Sequence, residues 1–593
     1  MNKIIPDLNP KNLFKAVFAG YFLLVMHYYL PNMGGYGLYL PYNVIGWMFI
    51  ATLIGLGFWQ ISKTGFITLS KTQILFSIGF LFCLLPLAYS INEISYRTTS
   101  RVMFLAGGLA FYTALVQFRF NQSERFTLFY IILGAVTMQS ILGVVQYYGL
   151  GSEDHFLMVK KTFPYGSFQQ KNVMTIFMAT GMAIGLFLIG KDHELASSRL
   201  KRWLVLLPPL TGSIIIMAIK SKAGYIGLLV IFPLLLPTIN VKEKLYQRWF
   251  LLLVTGLIIG FFSPRAYQFF QSGAQPEGQT ETQQEGQLEG QTETQQEGGL
   301  YTRDLGNQIE TVKTRIDMYE ITFDIWKDNP LIGIGYGKWP RIFREYHASR
   351  RANATGSDYF MGEYLDHPHN ETLLWLSEGG IAPFLGLLIF AGAYLMMVFR
   401  LNWKDVLSCL ALVMPIFLHT QFELPFDISL AHWIVFLTLC HFPDDQENMR
   451  YRYNLHKTMI IPALVIPFMV YYYMGTTLRI NSIISRFEHT GMKNYDLLLQ
   501  VKNPGALHLK YDNYVLKTML DFGMKTKNEK SLQLFLEKAE EFVQRSPILH
   551  VYNGMMRALL ALGREEEARD IVERARYLYP DTNEAWLQLG NQK

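Results

Sequence analysis

Thirteen stretches in which nearly every position is apolar dominate the chain, at 13–30, 44–61, 74–90, 102–118, 126–148, 173–189, 203–219, 224–239, 249–262, 381–399, 406–418, 428–441 and 458–474. A helix needs roughly 20 such residues to cross a bilayer core, with tolerance for short or tilted segments. The pattern predicts an all-α polytopic membrane bundle of 12 or 13 spans. The first stretch has no small-residue cleavage site and reads as a retained helix.

Basic residues punctuate every second loop. Lys3, Lys11 and Lys15 precede the first span, and the alternate loops hold Lys63/Lys71, Arg119/Arg125, Lys191/Arg199/Lys201/Arg202, Lys242/Lys244/Arg248, Arg400/Lys404 and Arg450/Arg452/Lys457. Because Lys and Arg near span ends are retained on the cytoplasmic side, the N-terminus is expected inside and the C-terminus outside. Two large segments then lie outside, one near 263–380 and the other everything after Met474.

The first large segment opens on a low-complexity insert at 273–299, where Glu277–Gly286 recurs as Glu289–Gly298 with a period of twelve. A Gln/Glu/Thr/Gly tract lacks the apolar side chains to form a core, and a disordered tether is expected. In the second, Trp586 stands thirty-four residues after Tyr552, with Ala568, Ala575 and Pro580 where a helix-turn-helix repeat places small residues and its closing proline. One full repeat is plain and the one upstream is degenerate. The expected domains are N-terminal spans at 1–262, an outer loop at 263–380, C-terminal spans at 381–474, and a helical-repeat (TPR-like) outer domain at 475–593, its repeats beginning near 490.

Composition agrees, with 50% of residues apolar, 15% aromatic and only 17% charged, as in a membrane protein with a soluble part. A net charge of +6 is small for 593 residues and carries no nucleic-acid footprint. Cys83, Cys409 and Cys440 all sit in apolar stretches and read as small hydrophobes, with no disulfide framework or thiolate metal site.

Several outward loops carry polar residues. In Tyr165-Gly166-Ser167-Phe168-Gln169-Gln170-Lys171-Asn172, Gln170 and Asn172 offer amides at the membrane surface, either as ligand contacts or as solvated cap groups. Lys220-Ser221-Lys222 runs against the basic-inside trend, which suits an anionic partner or snorkelling to lipid phosphates. From Arg315 to Trp326 the chain has a helical pattern, with Ile316, Tyr319, Phe323 and Trp326 on one face that would lie on the membrane or the bundle. After Asn329-Pro330, the run Gly333-Ile334-Gly335-Tyr336-Gly337 has no strand before it and no closing Lys-Ser or Lys-Thr, so close backbone packing or an anion-binding turn fits better than a nucleotide loop.

His367-Pro368-His369-Asn370 precedes a span. A histidine there can act as a base, hold an anion or cap a helix, and no carboxylate or third histidine stands at metal-ligand spacing. Glu423 and Asp427 bring carboxylates to the same side. The spans are nearly free of charge, unlike those of a transporter.

The order of Gly166-Ser167-Phe168-Gln169-Gln170-Lys171-Asn172, Arg315, Asn329-Pro330-Leu331-Ile332-Gly333-Ile334-Gly335, His369-Asn370 and Glu378-Gly379-Gly380 resembles the O-antigen ligase superfamily. Gln170-Lys171-Asn172 and the helical-repeat tail are most similar to its branch of bacterial protein O-oligosaccharyltransferases that glycosylate pilins. Leu38-Tyr39-Leu40-Pro41-Tyr42-Asn43 and Trp47 extend the resemblance over most of the chain.

The resemblance implies a bacterial inner-membrane enzyme that transfers a glycan from an undecaprenyl-pyrophosphate carrier to a periplasmic acceptor protein, without a metal, nucleotide or other cofactor. It implies a catalytic role for His369, pyrophosphate binding by Arg315 and a glycan or acceptor contact from Gln170; Lys220 and Lys222 would add positive charge for the pyrophosphate, and Asn172, Asn370 and Glu423 are expected as further glycan or acceptor contacts. Two positions depart from the family pattern. Lys222 stands where the family often has arginine, keeping the charge but losing the two-pronged fork, and no tyrosine follows Glu423-Leu424-Pro425, with Ile428 nearby instead. Ligation to lipid A core sugar and polymerisation of repeat units share the expected fold and donor; the repeats favour a protein acceptor, since helical repeats commonly bind polypeptide.

Deleting Glu277–Gly298 should leave glycan transfer largely intact, because a polar insert contributes little to folding or chemistry. Complete loss of transfer by a stably accumulated deletion would overturn that reading.

Overall fold

The computed structural model describes residues 9–30, 32, 34–89, 96–148, 164–240, 242–272, 302–353, 364–444, 450–455, 457–580, 582, 584, 586 and 587. The low-complexity insert lies outside them. The helices are α1 (Pro10–Leu23), α2 (Pro41–Thr64), α3 (Lys71–Tyr89), α4 (Tyr96–Phe118), α5 (Gln122–Tyr148), α6 (Lys171–Lys191), α7 (Arg199–Ile219), α8 (Lys222–Leu235), α9 (Lys244–Ser272), α10 (Thr302–Asp328), α11 (Trp339–Asn353), α12 (Glu371–Gly379), α13 (Ile381–Val398), α14 (Trp403–His419), α15 (Pro425–Ile428), α16 (Leu430–Asp444), α17 (Ile460–His489), α18 (Asp496–Leu499), α19 (His508–Thr526), α20 (Glu529–Arg545), α21 (Leu549–Ala561) and α22 (Glu565–Leu578).

Each of the thirteen apolar stretches contains a helix, and the protein is an all-α polytopic membrane protein. Among the described residues nine helices are long and apolar enough to span alone: α2–α7, α9, α13 and α17. The others are shorter, with 14 residues in α1 and α8, 17 in α14 and 15 in α16. Two expected boundaries fall inside helices, since α9 continues past 262 to Ser272 and α17 continues past 474 to His489. The boundary at 380/381 coincides with the break between α12 and α13.

The chain forms two compact units. The first comprises Met1–Phe80, Met103–Gln284 and Leu388–Asn481, and the second Leu81–Val102, Glu285–Leu387 and Ser482–Lys593. In the first unit α6 is buried nearly throughout and forms the centre of the apolar core, with Phe168, Phe177, Met178 and Ile184 fully enclosed. A helix with no polar face is stable where other helices or lipid cover it, and here other helices do. α5, α7, α8 and α14 all pack on α6.

Hydrogen bonds define two ends of this unit. At one, Lys11 and Lys15 pair with Glu124, Lys201 bridges Asp192 and Glu194 at 3.0 Å each, and Lys191 meets Asp405 at 2.5 Å. Arg125 donates to the carbonyl of Phe442. Two short strands close the same end: β1 (Phe66–Ser70) and β2 (Arg450–Asn454) pair antiparallel with Thr68 opposite Arg452. The free side of β1 is met by Gln117, whose amide accepts from the Thr68 N–H and donates to its carbonyl, both at 2.9 Å, standing in for a third strand. Ser70 and Tyr112 both donate to the buried Asp444 carboxylate.

The other end gathers the N-termini of α2, α6, α8 and α16 with the C-terminus of α14. His432 of α16 bonds the carbonyl of Val173, Ser221 before α8 donates to Asn172, and Asn43 of α2 bonds the chain on either side of Ser429. The basic loops predicted to lie inside therefore collect at the end opposite Gln170, Lys220 and Glu423.

In the second unit the repeat region is two helical hairpins, α19/α20 and α21/α22, around one core. Leu532, Phe535, Ala539 and Phe542 of α20 recur every three or four residues and face Leu520, Tyr552, Met555 and Leu559. Ala568 and Ala575 are buried on α22, and Tyr552 and Trp586, the pair thirty-four residues apart, share that core. Arg344 of α11 is 1% exposed and stacks over the Tyr579 ring at 4.2 Å, fixing α11 to the end of α22.

Glu194→Cys and Lys222→Cys should react with a membrane-impermeant maleimide from opposite sides of the membrane, in intact cells against inverted vesicles, because they stand at opposite ends of the first unit. Labelling of both from one side would refute the orientation.

Candidate active site

The glycine run of the second unit is a packed turn. α10 ends where Asn329-Pro330 cannot continue it, and the Asn329 amide donates back to the Ile325 carbonyl. The following residues run along the C-terminus of α12: the N–H of Ile334 donates to Ser377 and that of Gly335 to Glu378, at 3.0 and 2.8 Å. Gly333 has φ +63° and a Cβ there would stand 2.4 Å from the Glu378 carbonyl oxygen; at Gly380, φ +71°, it would meet Leu331. No side chain fits between these strands of backbone.

Glu378 holds the turn from below. Its carboxylate is 1% exposed; one oxygen accepts from the Gly337 and Trp339 N–H groups at 2.9 and 3.1 Å, and the other pairs with Arg101 at 2.5 Å. Arg101 lies against both Trp375 at 5.0 Å and Tyr336 at 5.6 Å, whose rings meet each other edge to face, while Thr98 and Tyr336 donate to the carbonyls of Tyr336 and Cys83. The Glu-Gly-Gly run thus has a structural role that its sequence did not disclose, with Arg101 as its counter-charge.

Within the same unit α10 and the histidine loop meet through Tyr319, whose hydroxyl donates to the His369 carbonyl at 3.2 Å. Arg315 precedes Tyr319 by four residues and so lies on the same ridge, about 6 Å along the axis. His369 adopts a left-handed backbone, φ +47°, which a non-glycine residue holds only when its surroundings impose it. Here they do: its N–H donates to the His367 Nδ1 at 3.1 Å, its carbonyl accepts from Tyr319, and the next residue, Asn370, caps α12 by accepting from the Leu373 N–H at 2.9 Å. The two imidazoles meet edge to face, 4.4 Å apart.

α10 packs within its own unit through one face and leaves exposed two residues of the face expected to lie on the membrane or the bundle. Met318, Ile321, Thr322 and Ile325 are buried, whereas Ile316 and Phe323 are 49% and 40% exposed. Thr322 lies in the packed face because its hydroxyl is satisfied twice, donating to Met318 and accepting from the Trp339 indole. On the far flank Arg350 pairs with Asp324 and Glu320. Partial burial works against the Asp324 carboxylate, but Lys327 and Arg350 outweigh it and hold its pKa below the ordinary value.

The first unit contains the remaining predicted residues. Gln170, at the N-cap of α6, donates to the buried Glu423 at 3.3 Å, and its amide oxygen is enclosed without a hydrogen-bond partner among the described residues. Asn172 accepts from Ser221, which in turn caps α8 through the Gly224 N–H. This fixes the turn that carries Lys220 and Lys222, both exposed. The structure therefore joins Arg315 with His369 in one unit, and Gln170 with Glu423 and Asn172 with the lysine turn in the other.

Sequence reasoning missed the amides that hold these loops. Gln146 accepts from the N–H groups of Tyr165 and Gly166, and Gln139 both accepts from and donates to Ser167. Asn43 donates to Gly37 and Ile428 at 2.8 Å each and accepts from Leu430 at 3.0 Å, while Tyr42 donates to the same Ile428 carbonyl. At the position lacking the family's tyrosine, the Ile428 backbone is engaged by Tyr42 and Asn43. The signal was available: an amide inside an apolar span is costly unless it has a partner.

Two family models match the chain, one described as O-antigen ligase over residues 209–391 and one as the C-terminal part of a virulence factor membrane-bound polymerase over residues 407–593. The chain belongs to the O-antigen ligase superfamily. The ligase match contains the lysine turn, Arg315, the glycine run, His369 and Glu378, and the polymerase match contains Glu423 and both helical hairpins. No curated protein matches the chain. Membership makes the protein a multi-pass glycosyl-transferring enzyme of the ligase and polymerase type.

Glu378→Ala should cost about 3–5 kcal/mol, since it strands the Arg101 charge and two backbone N–H groups. Glu378→Gln should be milder, because its oxygen can still accept from Gly337 and Trp339. Thermal unfolding in nanodiscs and proteolysis near 331–339 check both, and equal behaviour of the two variants would refute the charge argument.

Proposed function

We propose that the protein transfers a glycan en bloc from undecaprenyl pyrophosphate to Ser or Thr hydroxyls of periplasmic proteins such as pilin, at the periplasmic face of the bacterial inner membrane. The observation that carries the reading is the Tyr319 hydrogen bond to the His369 carbonyl, which ties the ridge bearing Arg315 to a histidine held in a strained conformation. Catalytic groups must keep their spacing through the reaction, and such fixation serves that need.

The chemistry follows from the bond to be broken. The acceptor oxygen attacks the anomeric carbon as the bond from that carbon to the pyrophosphate oxygen breaks, and inversion results. The hydroxyl proton passes to His369, because a hydroxyl is a poor nucleophile until a base takes its proton. Negative charge gathering on the departing lipid pyrophosphate is stabilised by Arg315, with Lys220 and Lys222 as further cations. Gln170, whose amide oxygen has no hydrogen-bond partner among the described residues, and Glu423 suit the hydroxyl groups of a sugar; Asn172 and Asn370 have their side-chain oxygens committed to Ser221 and the α12 cap and act through position. The helical hairpins suit a polypeptide acceptor.

Polymerisation is the second reading, favoured by the polymerase description of the family model matching residues 407–593; lipid A core ligation shares the donor chemistry. Purified enzyme mixed with lipid-linked glycan and a candidate pilin separates them. A mass shift on the pilin supports protein transfer, and a ladder of longer lipid-linked glycans with unmodified pilin refutes it.

In that assay His369→Ala should lower transfer roughly 100- to 10,000-fold, the typical contribution of a general base, without loss of accumulation. Arg315→Lys should retain part of the activity and Arg315→Ala almost none, since lysine keeps charge but not bidentate geometry. His367→Ala should be milder, because it removes only an acceptor for the His369 N–H. A dead His367→Ala beside an active His369→Ala would overturn the assignment.

A further inference from the structure

The exposed apolar stripe of α10 continues into the turn beyond it. Ile316 and Phe323 are 49% and 40% exposed, and Leu331 and Ile332 are 71% and 55% exposed. Trp326 joins them: its ring lies 5.1 Å from that of Phe323 and its indole N–H donates to the Pro330 carbonyl. That same carbonyl accepts from the N–H of Ile381 at 3.0 Å, and Ile381 is the first residue of a helix long and apolar enough to span the membrane. The turn bearing Leu331 and Ile332 is therefore hydrogen-bonded to the mouth of a span, where the bilayer surface must lie. Lys327 reaches over the Phe323 ring at 4.9 Å and pairs with Asp324 at 3.0 Å, so its charge is met on the helix itself. Glu320 and Asp324 also pair with Arg350.

We propose that Phe323, Trp326, Leu331 and Ile332 form a wedge that enters the headgroup and upper acyl region of the membrane beside α13. An aromatic pair with two exposed aliphatic side chains beside the first residue of a span is the composition of an interfacial segment. The wedge sets the depth of the reacting groups, because Arg315, Tyr319 and Phe323 follow one another at four-residue intervals. Arg315 stands about 12 Å along the helix axis from Phe323, and Tyr319 between them holds the His369 loop. The inference concerns lipid contact and is independent of which acceptor is glycosylated.

The test uses the full chain in phospholipid nanodiscs, with Phe323→Cys, Leu331→Cys and Ile332→Cys each carrying an environment-sensitive fluorophore, Glu529→Cys on exposed α20 as the water-facing control, and the unsubstituted chain as the measure of labelling at its three buried cysteines. With nitroxide on the upper acyl chain, the three wedge probes should emit at shorter wavelength than the control and lose about half their intensity, whereas the control should lose little. Wedge probes quenched no more than Glu529 would overturn the proposal. So would shorter-wavelength emission without quenching, which would mean that protein, such as a second copy, covers the ridge.

Discussion

Backbone that leaves a helix at the edge of a bilayer must have its N–H and C=O groups matched by the protein, since hydrocarbon supplies no partner. The irregular segments described here meet that constraint with side chains projecting from helices. Gln117 completes the edge of β1, Gln139 and Gln146 hold the Tyr165–Ser167 turn, Asn43 holds the bend around Ser429, and Glu378 holds the glycine run. Gln117, Gln146, Asn43 and Glu378 each face at least two backbone groups, so the loss of one leaves several polar groups unmatched at once. The loops that carry the candidate chemistry are therefore rigid by polar matching and do not depend on length or on a disulfide.

Glu378 shows why a charge is used at one of these places and amides suffice elsewhere. It must accept from two N–H groups on one oxygen and still meet Arg101, whose guanidinium lies against two aromatic rings. A buried pair of this kind gains stability only where further hydrogen bonds satisfy both ions. Here those bonds are the turn itself, so the ion pair and the backbone geometry are one construction.

Much of this was legible in the sequence. Thirteen apolar stretches gave the helices, and the alternation of Lys and Arg separated the loops that the structure gathers at opposite ends of the first unit. Tyr552 and Trp586, thirty-four residues apart, lie in one core with residues of α21 and α22. The packed face of α10 was not legible, because Thr322 looks polar until the Trp339 indole is seen to bond it. Hydropathy weighs a side chain alone, whereas burial of a hydroxyl depends on a partner seventeen residues away. The ends of α9 and α17 were misjudged for a related reason, since a helix need not stop where its apolar run does.

The clamp at Asn43 also has a consequence in time. Its partner carbonyl at Ile428 is separated from it by 385 residues, which at ribosomal rates of about 5–20 residues per second arrives roughly 20 to 80 seconds later. Throughout that interval α2 has entered the membrane with an amide whose eventual acceptor has not been made. The strand β1 waits in the same way for β2, and Tyr42 for Ile428. Roughly three quarters of the chain must be made before either end of the first unit can close, so a nascent chain holds its earliest spans in a provisional arrangement that water, lipid headgroups or the insertion machinery has to shelter.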